Sequence, residues 1–280
     1  MHARVLVASL LLLLVSPSAR ADGAFEINTT LMRSTFKVAG TGSAGTAFIL
    51  GRRDVGDSNK AHYVLVTAAH VLDKMQTDDA ILFLRKKNGD GFQKIAFPLK
   101  VKKTGRPLWT THPDADVAVM YVALPRDADL LLISTDLLAT DEMLEKFSIH
   151  PGDQLSCLGF PYGADANEAG FPVLRTGHIA SYPLTPTKKT KVLLVDLNVH
   201  NGNSGGPVYF VDINRTFGGT TNLGTTVQFL VGLVSQQSLF EEEVKSMSET
   251  RRVQHQLGIG VVIHASLIRE ALDLLPAPKD

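Results

Sequence analysis

The 280-residue chain predicts an all-β fold on three observations. Its β-branched and apolar residues come in short runs, clusters of Gly, Pro, Asn and Asp separate the runs, and nothing repeats with the period of a solenoid. In order the runs cover 63–66, 80–84, 117–122, 192–195, 208–211 and 229–234. Each is too short for a globular helix, and their Val, Ile, Leu, Tyr and Phe residues suit a pleated, half-buried surface. Two segments read differently. Residues 136–147 look helical, and so do 266–275, where Leu267, Ile268, Ala271, Leu272 and Leu275 share one face behind Ser266 as an N-cap. That stripe fits a closing helix packed on the core.

The most informative stretch is Asn201-Gly202-Asn203-Ser204-Gly205-Gly206-Pro207-Val208, in which glycines let the backbone fold tightly enough to present a serine hydroxyl. Such a hydroxyl is a weak nucleophile at neutral pH. It needs an imidazole to take its proton, and the imidazole needs a carboxylate to fix its tautomer and stabilise its charge. Upstream lie Thr67-Ala68-Ala69-His70 and Asp114-Ala115-Asp116-Val117, so we assign Ser204 as nucleophile, His70 as base and Asp116 as its carboxylate. The backbone N–H groups of Gly202 and Ser204 are the expected oxyanion donors, and losing one such donor costs roughly 10²- to 10³-fold in turnover.

Competing assignments are visible. His62, His112, His178 and His200 are other candidate bases, but His70 alone follows an apolar run and a Thr-Ala-Ala turn. Asp114 competes with Asp116, which is preferred because it directly precedes the run 117–122. Gly202-x-Ser204-x-Gly206 also satisfies the nucleophile elbow of an α/β-hydrolase esterase or lipase. That fold needs a helix after the serine and then Asp and His, whereas Pro207 and a β-rich run follow here, and Asp212, Asp273, His255 and His264 have no supporting context.

Gly45-Thr46-Ala47-Phe48-Ile49-Leu50, Val66-Thr67-Ala68-Ala69-His70-Val71-Leu72, Asp116-Val117-Ala118-Val119, Gly202-Asn203-Ser204-Gly205-Gly206-Pro207 and Leu257-Gly258-Ile259-Gly260-Val261-Val262-Ile263 occur in a telling order. Through them the chain resembles the chymotrypsin-like (trypsin-like) serine peptidases, and within these the HtrA/Deg proteases. Gly152-Asp153-Gln154-Leu155, Gly159-Phe160-Pro161 and Arg175-Thr176-Gly177-His178-Ile179-Ala180-Ser181 extend the likeness over nearly all of the chain. The resemblance implies a chymotrypsin-like double β-barrel, each barrel six-stranded and antiparallel, at roughly 22–140 and 150–265, with a short C-terminal helix. His70 and Asp116 would come from the first barrel and Ser204 from the second, facing a cleft between them.

The activity so implied is that of a serine endopeptidase, a hydrolase that cuts protein or peptide substrates through an acyl-enzyme and needs no cofactor. A trimer of the HtrA type is compatible with the resemblance, though no residue demonstrates it. By the same likeness Asn198, six residues before Ser204, sits at the base of the substrate pocket, with Ser235, Gln236 and Gln237 on the strand beside it. A neutral floor argues against selection of Lys or Arg and leaves small or medium apolar side chains. The polar stretch 236–256 is expected to be an exposed helix or loop, with a role bordering the pocket as the second reading. Five residues follow Leu275, so an appended PDZ domain is not expected. Asn203 stands where trypsins carry an acidic residue that pairs with a new N-terminal amine, and no Ile-Val-Gly-Gly start is present, so activation by N-terminal insertion is not expected either. The rival of a different class is a latent or non-catalytic protease fold acting as a binding scaffold; the complete triad and the oxyanion glycines argue against it.

Residues 1–21 read as a secretory signal peptide: Arg4 gives a positive start, 5–15 is apolar, and Ala19-Arg20-Ala21 is a small-x-small cleavage site. The apolar run is short for a membrane span, although an uncleaved anchor is the alternative. The peptidase domain then occupies 22–280. Cys157 is the one cysteine, so no intrachain disulfide forms, and a bacterial periplasmic or secreted enzyme fits better than a cross-linked animal trypsin. Lying in an apolar run, Cys157 reads as a buried, inert thiol. With 28 basic and 28 acidic residues and no basic stripe, a nucleic-acid partner is not indicated, and no His, Cys or carboxylate cluster has metal-ligand spacing. Asn28-Thr29-Thr30 and Asn214-Arg215-Thr216 fit glycosylation sequons but carry no weight.

Overall fold

The computed structural model describes residues 26–54, 60–245 and 250–278, so the expected signal peptide lies outside the described residues. Helix α1 (Ile27–Ser34) comes first, and the Glu26 carboxylate accepts hydrogen bonds from the Asn28 and Thr29 N–H groups that its first turn leaves unpaired. Strands β1 (Thr35–Gly40), β2 (Ser43–Arg53) and β3 (Ala61–Thr67) follow, then the short helix α2 (Ala69–Asp73) and strands β4 (Asp79–Asn88) and β5 (Gly91–Lys100). Short strands β6 (Lys102–Lys103), β7 (Arg106–Pro107), β8 (Thr110–Thr111), β9 (Ala118–Tyr121) and β10 (Ile133–Ser134) complete the first half. All but β6 and β7 form one sheet in the order β5-β4-β1-β2-β3-β9-β8, with β10 added beside β2.

The chymotrypsin-like arrangement expected over 22–140 is present as a curled sheet: beyond β5 the chain continues through β6, which pairs with β7 (Lys102 opposite Pro107, Lys103 opposite Arg106), and the Leu108 N–H reaches the Val101 carbonyl at 2.9 Å on the way to β8.

The second half closes. It contains helices α3 (Asp141–Lys146) and α4 (Thr187–Thr190), strands β11 (Gln154–Gly159), β12 (Val173–Ile179), β13 (Val192–Asp196) and β14 (Pro207–Ile213), the small pair β15 (Thr216–Phe217) and β16 (Thr220–Thr221), and the long strands β17 (Thr226–Lys245) and β18 (Thr250–His264). The barrel runs β11-β12-β13-β18-β17-β14 and back to β11. Buried residues of its strands, among them Leu158, Phe210, Phe229 and Val262, belong to the core, and burial of each such side chain is worth roughly 1.5–3 kcal/mol.

Three local expectations are corrected. The helix read over 136–147 is a 3-10 turn (Thr135–Leu137) and α3, separated because the Ala139 N–H bonds the Leu230 carbonyl at 2.8 Å and Thr140 takes the N-cap of α3. Helix α5 (Ala265–Asp273) buries Leu267, Ile268, Ala271 and Leu272 as read, but its N-cap is His264 and the Ser266 hydroxyl is buried without a partner. The described residues of the polar stretch 236–256 are neither helix nor loop. They continue β17 and β18 outward as a two-stranded arm, from Leu239 opposite Gln256 to Lys245 opposite Thr250.

One tie between the halves left no sequence signal. Arg85 on β4 is 0% exposed, with its guanidinium 4.4 Å from the ring centres of both Phe36 and Phe171. It donates to the carbonyls of Met32, Arg33 and Thr35 at the end of α1 and to Gly170 in the second half. Burial lowers its pKa to about 10, so it stays charged.

His264 supplies a pH-dependent stability term. Burial pushes its imidazole from the ordinary 6.5 down to about 4. The unfolded chain therefore takes up the proton first on acidification, and stability is full above about pH 6.5 and lost as pH falls to about 4. His264→Gln should flatten part of the decline in Tm across that window; a variant whose Tm tracks the wild type at every pH would refute this.

Candidate functional site

The three candidate side chains come from the ends of elements. His70 is the second residue of α2, immediately beyond β3; Asp116 lies two residues before β9; Ser204 sits in the turn that joins β13 to β14. The turn at His70 is fixed by Thr67, whose hydroxyl donates to the Thr46 carbonyl at 2.7 Å. His70 and Asp116 meet twice. The Asp116 carboxylate takes the ring Nδ1 at 2.7 Å and the His70 backbone N–H at 2.9 Å.

A third donor is Ser235 on β17, whose hydroxyl lies 2.5 Å from Asp116 Oδ2. Burial pushes the Asp116 carboxyl up, but the hydrogen bonds from His70 and Ser235 outweigh it and hold the pKa below the usual carboxylate range. Asp116 is therefore ionised, and it receives His70 Nδ1–H in the tautomer that leaves Nε2 as acceptor.

The competing residues go elsewhere. Asp114 pairs at the surface with Lys191 at 3.4 Å. His62 pairs with Asp54 at 2.7 Å, buried His112 faces Glu270 at 3.1 Å, and His178 is exposed on β12. His200 is the one other histidine at the cleft, where its ring stacks on Tyr162 with centroids 5.0 Å apart.

The serine turn needs its glycines. Gly202 and Gly205 have φ of +94° and +87°, and a Cβ would come within 2.2 Å of the Phe160 carbonyl at the first and 2.1 Å of the Thr46 carbonyl at the second. Thr46 pins the turn from β2: its hydroxyl donates to the Gly202 carbonyl at 2.7 Å, and its N–H donates to the Ser204 carbonyl at 2.9 Å. The buried Asn203 accepts the His200 N–H on Oδ1 at 3.1 Å and returns its own N–H to the His200 carbonyl at 3.0 Å. A neutral amide at this buried position needs no counter-charge. Among the described residues, the Gly202 and Ser204 N–H groups have no protein acceptor. Ser204 Oγ donates to the Ser235 carbonyl at 2.9 Å rather than to His70.

These residues open on a cleft of about 760 Å³. Ser235 and Gln236 line it, together with Val199, Val261 and Ile263. Asn198 does not line it. Residues 197 and 199 are buried while Asn198 is exposed, because successive side chains of an extended segment point to opposite sides, and its Oδ1 faces Gly258 instead. The backbone of Gln237 pairs with Gly260, and its side chain lies outside the described residues. Cys157 is buried on β11, and burial raises its thiol to about 12, so no thiolate competes with Ser204. Among the described residues no group of His, Cys, Asp or Glu could hold a metal ion, and no helix is long and apolar enough to cross a membrane.

Chemically, the arrangement joins a partly buried ionised carboxylate, an imidazole, a hydroxyl and two unengaged N–H donors around one cleft. Sequence reasoning missed Thr46 and Asn203 as braces of the serine turn, since neither shows a partner until the halves are packed together.

Comparison with known proteins places this geometry in context. An inactive mutant form of Rv3671c from M. tuberculosis H37Rv superposes with a TM-score of 0.45 and 16% identity, covering 91% of this chain and 92% of that one. Human heparin binding protein gives a TM-score of 0.47 and 11% identity, over 89% of this chain and 95% of that one. No curated protein matches the chain. The sequence model of the trypsin-like peptidase domain matches residues 45–215, more than half of the chain and a span containing His70, Asp116 and Ser204. The chain belongs to the trypsin-like peptidase domain family.

Proposed function

We propose that the protein is a serine endopeptidase that hydrolyses protein or peptide substrates through an acyl-enzyme. The observation that carries this reading is the double hydrogen bond between His70 and Asp116 in the cleft that also holds Ser204 and its glycine turn. On substrate binding Ser204 Oγ turns from the Ser235 carbonyl to His70 Nε2, loses its proton there and attacks the scissile carbonyl. The Gly202 and Ser204 N–H groups stabilise the oxyanion, His70 returns the proton to the leaving amine, and water repeats the sequence to release the acid. Asn203 supports a site assembled without N-terminal insertion. The reading includes export through the segment 1–21, with work in the periplasm or outside the cell.

The position of the Ser204 hydroxyl favours one second reading, a latent protein that becomes competent only when something turns that side chain. A fluorescent fluorophosphonate probe and an unfolded casein substrate separate the two, with Ser204→Ala as the blank. Wild-type labelling and cleavage, both lost in Ser204→Ala, are the expected results. A folded wild type that neither labels nor cleaves would leave latency as the better account.

A further inference from the structure

Asp116 is carried by the loop 112–117, which joins β8 to β9. The ladder of these strands ends with Thr111 opposite Ala118, and the His112 N–H then closes the base of the loop on the Val117 carbonyl at 3.0 Å. Inside the loop the Val117 N–H bonds the Ala115 carbonyl at 2.8 Å, and the Asp114 N–H bonds Nδ1 of the His112 ring at 3.1 Å. The ring is therefore a strut across the loop. It is 4% exposed, although its neighbours Thr111 and Pro113 are exposed.

The other ring nitrogen decides whether the strut holds. Because Nδ1 accepts the Asp114 N–H it carries no proton, and the proton of the neutral ring stands on Nε2. Nε2 lies 3.1 Å from Oε2 of Glu270 on α5, 158 positions further along the chain. Glu270 accepts that N–H and so favours the tautomer in which Nδ1 is an acceptor. The opposite tautomer would aim an N–H at the Asp114 N–H and push the loop apart. Helix α5 is a firm base for this contact, since its Leu267, Ile268, Ala271 and Leu272 are buried in the core while the Glu270 side chain is half exposed. The His70–Asp116 pair is thus backed by a second pair of the same chemistry, one that braces the loop bearing Asp116.

We propose that His112 and Glu270 are positioning residues for Asp116: the Glu270 carboxylate fixes the His112 tautomer, the His112 ring fixes the loop, and the loop sets the Asp116 carboxylate against His70. This rests on the peptidase reading above. It also makes the seating of α5, which follows the second barrel, a condition for full activity of a pair carried by the first half of the chain.

The test compares Glu270→Ala, Glu270→Gln, His112→Asn and His112→Phe on a quenched fluorescent peptide built on a casein cleavage site, with Tm measured for each and assays run well below it. Glu270→Ala should lower kcat about 10-fold or more with KM little changed, since displacing a catalytic group by about 1 Å costs up to about 10²-fold. Glu270→Gln, whose Oε1 can accept the same N–H, should recover most of the loss. His112→Asn places Oδ1 near the Nδ1 position and should retain more kcat than His112→Phe, which fills the space better but offers no acceptor; packing alone predicts the reverse order. In an Asp116→Asn background, Glu270→Ala should change the fluorophosphonate labelling rate less than about 2-fold, because nothing is left to position. The low-field proton resonance of the His70 Nδ1–H bonded to Asp116 should shift or broaden in Glu270→Ala and return in Glu270→Gln. Wild-type kcat in a folded Glu270→Ala, a resonance that does not move, or full additivity with Asp116→Asn would each overturn the proposal. If the wild type neither labels nor cleaves, the peptidase reading fails, and the resonance, which needs no turnover, still decides whether Glu270 positions Asp116.

Discussion

His70→Ala is expected to lower kcat on casein-derived peptides by about 10⁵- to 10⁶-fold, and Asp116→Asn by about 10⁴-fold, with KM little changed in both. The two magnitudes differ for a physical reason. Removing the imidazole leaves Ser204 with no proton acceptor, so only oxyanion stabilisation and substrate binding remain. Asp116→Asn keeps a polar group at the same place, but its amide donates where the carboxylate accepts from His70 Nδ1, which forces the ring into the tautomer with a proton on Nε2. The same amide nitrogen replaces the oxygen that now takes the Ser235 hydroxyl, while the remaining amide oxygen can still accept the His70 backbone N–H. Because that carboxyl lies below the usual carboxylate range, activity in the wild type should not fall with Asp116 protonation at mildly acidic pH. Steady-state kinetics with single-turnover labelling check this. A drop of less than 10²-fold in Asp116→Asn would mean that His70 is not the base, or that Asp116 does not orient it.

The largest stability loss outside the core is expected at Arg215. Its two terminal nitrogens each hold one oxygen of Asp153 at 2.7 Å, and both side chains are more than nine-tenths buried. The same guanidinium donates to the Phe147 and Ser148 carbonyls and lies 5.1 Å from the Phe210 ring centre. It therefore fastens the segment 147–153, which leads into β11, to the outside of the barrel. Arg215→Ala leaves a buried carboxylate without its counter-charge and two carbonyls without donors. Breaking a buried pair in this way costs about 3–5 kcal/mol, which lowers Tm by on the order of 10 °C for a domain of this size. Removing both charges in Arg215→Met/Asp153→Asn should recover part of the loss. Urea unfolding with a loss under about 1 kcal/mol for Arg215→Ala would show that the pair is in effect solvated.

The sequence was most legible where a pattern depends on immediate neighbours. A glycine-flanked serine, a histidine after a buried strand and an aspartate before one are local patterns, and the structure brings two of the three into direct contact and the third into the same cleft. The apolar stripe of α5 was legible because helical periodicity is local too. Failures came where a distant partner decided. The Ser266 cap is absent because the chain enters α5 straight from β18 and the N-cap falls on His264. Residues 236–256 look like a solvated loop because hairpin pairing between strands leaves no apolar period in a two-sided, exposed ladder. Asn198 was placed in the pocket by the family resemblance, but the pleat turns it out and Val199 in.

The sequence by itself determined the β class, the candidate Ser, His and Asp patterns and the closing helix, since each is written in the spacing of neighbouring side chains. Only the tertiary structure decided that Arg85 and Arg215 are buried, that Thr46 and Asn203 brace the serine turn, and that the cleft wall runs on into an arm. Those features depend on hydrogen bonds and packing between residues far apart in the chain, and such pairings leave no periodic trace along it.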